Sequence, residues 1–277
     1  MGTALALLYL HFFSSGPAGA VTAAAESGPC SLDNAIPATV AAINGDFDLL
    51  LDDGRRAALS GLEFPPPAGE KGGKDMSEAA RKRLSDWLAG RDIFIGALAS
   101  GPDRWGRAPA RAYAPAGEGA AAPIVSVGAA LLEEGLARFR PDPPATPCAN
   151  EYRAAEASAR EASRGLWAEA AARPVSTGEG VAASLHQRKG MIILEGKIRS
   201  VGESKAALYL NFGQKRADNA SVVVLRRNLA ILQSSGIDPR ALVGRMVRVR
   251  GLVEAAFGPR IEISSPAEIE ILEPAAP

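Results

Sequence analysis

Apolar residues recur along this chain with two periods, and the switching between them predicts its elements. Ala38 to Ile43 and Phe47 to Leu51 read as strands, Asp52-Asp53-Gly54 as a turn, and Arg55 to Leu62 as the return strand. Asp-Gly between apolar runs is a strong hairpin signal because glycine accepts positive φ without a Cβ clash. The run from Phe64 to Gly73 holds three consecutive prolines and is not regular structure. Ser77 to Ala89 then carries Ala80, Leu84, Trp87 and Leu88 at helical spacing, with Ser77 as the expected cap and Gly90 as the stop. Strands follow at 93–98 and 108–113, a helix at 126–136, and a third helix from 150 to 159 that continues toward Trp167.

Residues 174–190 mix Pro, Ser, Thr, Gly and charges with little periodicity, the composition of a linker. Beyond it strands are predicted at 191–198, 207–213, 221–225, 245–253, 258–263 and 269–272, with a helix at 229–235 continued by 239–242. At the other end, Met1 to Ala20 contains no charged side chain and runs from an apolar stretch into Ala18-Gly19-Ala20. The apolar stretch falls short of the about 20 residues that cross a bilayer, so it reads as a cleaved signal peptide. The expected organisation is a signal peptide at 1–20, a lead at 21–35, a first domain at 36–172, a linker at 173–189 and a second domain at 190–273. The expected location is periplasmic or secreted.

Length and charge refine the picture. A chain of 277 residues accommodates two small domains. Its formal charge is zero, but residues 21–185 hold 17 Lys and Arg against 22 Asp and Glu, whereas 186–277 hold 14 against 9. Affinity for nucleic acid draws heavily on neutralised phosphates, so the first domain is the poorer candidate for tight binding and the second the better one. Arg248 and Arg250 alternate onto one face of a predicted strand. With Tyr209 they form a candidate face for single-stranded nucleic acid or for an envelope protein, and a solvated basic face is the plainer reading. The two cysteines, Cys30 and Cys148, bracket the first domain and read as a disulfide in an oxidising compartment, with two buried thiols as the alternative. His186 is the only histidine beyond the lead, and it falls in the linker.

Three blocks carry the candidate chemistry: Asn44-Gly45-Asp46-Phe47, Ala58-Leu59-Ser60-Gly61-Leu62-Glu63-Phe64-Pro65-Pro66, and Asp103-Arg104-Trp105-Gly106-Arg107. With Glu134-Gly135-Leu136-Ala137 and Arg164-Gly165-Leu166-Trp167, they resemble the thermonuclease, or staphylococcal-nuclease-like, family. That family reads D-G-D-T, R-L-x-G-I-D-x-P-E and D-R-Y-G-R. The resemblance implies a mainly β fold with α: two OB-fold-like five-stranded barrels, the first a thermonuclease-like barrel with about three helices. It also implies that two acidic residues hold calcium, a glutamate serves as base and two arginines clamp the phosphate.

Carried over by position, Asp46 and Glu63 are the expected calcium ligands and Arg107 the retained phosphate clamp. The other arginine falls on Ala58 and the glutamate on Pro66, whose side chains neither donate, accept nor carry charge. Losing the base costs about 10²–10⁴ in rate and losing the charge donor about 10²–10³. Arg55 and Arg56 lie just upstream, neither in the register of Ala58, and Glu70 or Asp75 offers a substitute carboxylate. The reading is therefore a nuclease homologue with a degraded site and a binding or structural role. The alternative is an active calcium-dependent endonuclease or phosphodiesterase on DNA or RNA.

Overall fold

The structure, a computed structural model, describes residues 30–67, 75–119, 121–178, 180–186, 188, 190–214, 220–254 and 258–272. The expected signal peptide, the lead as far as residue 29 and Glu70 lie outside the described residues.

The first half is built on β1 (Ile36–Ile43), β2 (Leu49–Leu51), β3 (Arg56–Leu59), β4 (Leu62–Glu63), β5 (Asp92–Ala97), β6 (Arg107–Pro115), β7 (Ile124–Ser126) and β8 (Arg138–Phe139). Strand β1 pairs with β2 on one side and β5 on the other, β2 with β3, and β5 with β6. A parallel β3–β6 pairing, with Arg56 opposite Arg107 and Ala58 opposite Pro109, closes the five strands into a barrel. Val40, Leu49 and Leu51 point inward and meet Leu84 and Leu88 from α1 (Met76–Leu88) in one core. Asp75, rather than Ser77, caps α1: its carboxylate accepts from the Glu78 N–H, while Ser77 is buried. A buried hydroxyl cannot remain at a cap open to solvent, and the preceding aspartate is the better acceptor.

Helices α2 (Val127–Glu133) and α3 (Ala149–Glu161) complete this half. The two glycine-containing motifs after α2 and α3 meet there. The Leu166 N–H donates to the Gly135 carbonyl at 2.9 Å, and a Cβ on Gly165 would lie 2.2 Å from that same oxygen. Both glycines also hold positive φ, at 71° and 53°. Gly165 thus permits backbone to touch backbone, a requirement beyond ending a helix. Cys30 and Cys148 form a disulfide, with Cα atoms 5.5 Å apart.

The second half contains β9 (Val175–Ser176), α4 (Val181–His186), β10 (Met191–Lys197), β11 (Ser200–Glu203), β12 (Ala207–Asn211), β13 (Ser221–Leu225), α5 (Leu229–Ser234), β14 (Met246–Glu254), β15 (Arg260–Ile263) and β16 (Ile269–Leu272). Its sheet runs β11-β12-β13-β15-β14-β10-β9, with β13 parallel to β15 and β16 on the flank of β14. Only Ile198 and Arg199 separate β10 from β11, so the strands follow the same circuit as in the first barrel. The expected linker is instead part of this half. Strand β9 pairs with β10, and Val181 and Leu185 of α4 enter the core formed by Leu194, Leu208, Val222 and Val249. His186 ends α4, exposed.

The halves are docked together through buried charge and an apolar contact. Arg250 on β14 is 1% exposed; it donates to Glu156 of α3 at 2.9 Å, to Glu270 of β16 at 2.8 Å and to the Phe139 carbonyl at 3.0 Å. Arg153 of α3 reaches the carbonyls of Pro266, Ala267 and Ile269. Beside them Ala159, Leu166 and Trp167 meet Ile193 of β10.

This placement corrects the expected basic face. Arg250 is buried, and Arg248 is held by Glu195 at 2.6 Å and Glu270 at 3.2 Å. Tyr209 lies on β12, with β13 and β15 between it and β14. Alternation does put Arg248 and Arg250 on one face, but that face looks onto the acidic side of α3 and β16.

Candidate functional site at the first barrel

The turn after β1, the start of β3, the segment after β4 and the turn before β6 come together. Asn44 organises the first turn: its Oδ1 accepts from the N–H groups of Asp46 at 2.9 Å and Asp48 at 2.8 Å. An Asn in this position folds its side chain onto the backbone two residues on, the local habit of Asx residues. Within that turn Phe47, three residues on from Asn44, lies in the left-handed region with φ 65°. Phe47 then stacks on Phe64, centroids 4.0 Å apart and planes 4° from parallel, with the Arg81 guanidinium 5.4 Å from its centroid.

The predicted residues are placed as follows. Asp46 is exposed at the turn, with its backbone N–H tied to Asn44. Glu63 accepts from Arg138 on the neighbouring strand at 2.6 Å. Arg107 donates through Nε and Nη2 to Asp103 Oδ2 at 3.0 and 2.9 Å. Asp103 Oδ1 also takes the N–H groups of Trp105 and Arg107. Partial burial opposes the Asp103 charge, but these hydrogen bonds from Arg107 and Trp105 outweigh it and hold the carboxyl below its ordinary value. Trp105 is 57% exposed, flanked by Arg104 at 4.0 Å and Arg107 at 4.9 Å. Ala58 is half-buried, Pro66 is exposed, and Asp75 is spent as the cap of α1.

Two residues here add to the sequence reading: Asp48, which it does not single out, and Arg56, which it sets aside as out of register with Ala58. Asp48 is 2% exposed and accepts from Arg56 Nη2 at 2.6 Å and from Asn44 Nδ2 at 3.1 Å. Arg56 stands two residues before Ala58, so strand alternation places both on one face, and register puts it beside Arg107. A guanidinium is therefore present next to Arg107, but it is engaged by a buried carboxylate. The signal that finds it is the i, i+2 relation to Ala58; the identity of its partner needs the fold.

Among the described residues, no three His, Cys, Asp or Glu side chains gather as a metal-binding group. Six charged groups of the site instead satisfy one another in pairs: Arg56 with Asp48, Arg107 with Asp103, and Arg138 with Glu63.

Comparison with known proteins agrees with the motifs. Among curated proteins none matches this chain. The family model described as staphylococcal nuclease homologue matches residues 58–169, a stretch that begins at Ala58 and so contains Glu63 and Arg107 but not Asp46. Residues 58–169, from the end of β3 through α1, α2 and α3, thus match a staphylococcal nuclease homologue domain.

Proposed function

We propose that this protein is a nuclease homologue that does not hydrolyse nucleic acid and acts by binding or as a scaffold outside the cytosol. The observation that carries the reading is the internal pairing of Arg107 with Asp103, Glu63 with Arg138 and Arg56 with Asp48. A phosphate reaching Arg107 must compete with a two-point hydrogen bond to Asp103, and Glu63 must leave Arg138 to meet a cation. Ala58 and Pro66 supply neither clamp nor base. Phe47 and Phe64, the residues that follow Asp46 and Glu63, place two stacked rings beside a site that should be wet.

We read Asp46 and Glu63 as a poor fit for calcium, which takes six to eight oxygens. One is an isolated exposed carboxylate and the other is already ion-paired. The disulfide and the apolar start of the sequence support a periplasmic or secreted location. Single-stranded nucleic acid and an envelope protein are the partner classes that follow from this reading.

The test is hydrolysis of single-stranded DNA and RNA by the purified protein, with calcium and with a chelator, beside Asp46→Ala. The expected result is no cleavage above that variant. Calcium-dependent cleavage that Asp46→Ala abolishes would overturn the reading.

A further inference from the structure

One large cavity is lined by none of the nuclease-motif residues. It is a cleft of about 1200 Å³ on the C-terminal sheet, between the end of β10 and the segment after β9. That is more than the roughly 300–1,000 Å³ of an ordinary small-molecule pocket, so it has room for an extended ligand. Lys197 and Arg199 both line it. Ile198 between them is fully buried, so the chain turns its apolar side inward and both cations outward. Both are exposed, and among the described residues neither has an ion pair or a side-chain hydrogen bond, in contrast to the paired arginines of the first barrel.

The rest of the lining fits an anion. Thr177 lies against the bare backbone of Gly196, where a Cβ would come within 1.8 Å of its hydroxyl oxygen. Ser200 and Gln214 add a hydroxyl and an amide. Glu195, the one acidic residue in the lining among the described residues, is paired with Arg248 at 2.6 Å. Phe212, the one ring in the lining among the described residues, is 4% exposed and offers no stacking surface. Cations and hydroxyls without an exposed ring recognise phosphate and not base.

We propose that this cleft binds the phosphate groups of an extended anionic ligand, with Lys197 and Arg199 as the contacting cations. The proposal is independent of whether the first barrel hydrolyses anything. It separates the phosphate-binding surface of the protein from its nuclease-derived motifs and moves it to the half with the excess of basic residues.

The experiment measures binding of fluorescent oligothymidylate to the full protein in chelator across a salt series, with tripolyphosphate titrated directly as the second arm. Lys197→Ala with Arg199→Ala should weaken binding on the order of tenfold or more at about 50 mM salt. It should also flatten the log–log salt slope for the strand by about 1.4, two contacts at about 0.7 each. Binding of the strand alone identifies a nucleic-acid backbone, and binding of both ligands with the same loss identifies a general polyphosphate site; each supports the cleft. Binding of neither ligand, or binding that the double variant leaves unchanged, overturns it. Loss in Arg104→Ala but not in the double variant would put the ligand on the first barrel and equally overturn it. Both target side chains are exposed and unpaired, so the variant keeps the fold, which circular dichroism checks.

Discussion

Phe47 combines a costly backbone with a favourable side chain. A non-glycine residue at φ 65° gives up about 1–2 kcal/mol to Cβ crowding, yet Phe47 is 8% exposed and stacked on Phe64. Removing a buried phenylalanine costs about 3–5 kcal/mol. Phe47→Gly relieves the backbone and loses the ring, so the expected change is a net loss of about 1–4 kcal/mol, read from the urea midpoint. An unchanged midpoint would mean that the ring contributes no more than the about 1–2 kcal/mol of backbone strain it offsets. At this scale the sequence was informative where a residue acts through its own type and uninformative where it acts through a distant partner. Ala58 and Pro66 stand, by sequence alone, where the resemblance expects an arginine and a glutamate. The arginine on Glu63 is 75 positions away along the chain, and no spacing rule indicates it.

At the scale of elements, long segments with a clear period were legible and short ones were not. Strands Ser221–Leu225 and Ile269–Leu272 fall where alternation puts them. Strand β9 has two residues and α4 six, too few for a period, and both were hidden in a stretch that composition assigns to a linker. The docking of α3 on β14 and β16 was hidden for another reason. Alternation shows that Arg248 and Arg250 share a face, but not that Glu156 and Glu270 lie opposite. Burial opposes the Glu270 charge, but Arg250, Arg153 and Arg248 more than offset this, and its pKa is lowered. A carboxyl depressed on folding stabilises the protein above its unfolded value, and that stability is lost as pH falls through the folded value. Stability should therefore drop below about pH 4.5, the onset set by the unfolded carboxyl. Glu270→Gln should be less stable at neutral pH and should show a shallower acid slope, measured by denaturant unfolding from pH 6 to 3. Equal slopes would show that Glu270 is not the coupled group.

Across the whole molecule, these contacts make the halves depend on each other, and the disulfide lies at the start of the same path. Cys148 immediately precedes α3, which carries Glu156 and Arg153 into the contact with the C-terminal sheet. At the other end of the bridge, the Tyr113 hydroxyl donates to the Cys30 carbonyl at 2.6 Å, fixing the approach to β1. The bridge spans 118 positions, for which chain entropy alone gives on the order of 5 kcal/mol and measured removals about 2–5. Cys30→Ser with Cys148→Ser should lower stability by that range. Because α3 is shared, the loss should reach both halves together: calorimetry should show one endotherm before and after, displaced to lower temperature. Two endotherms in the variant, only the lower one shifted, would mean that the C-terminal sheet unfolds on its own and that the buried arginine network does not couple it to the nuclease-like barrel.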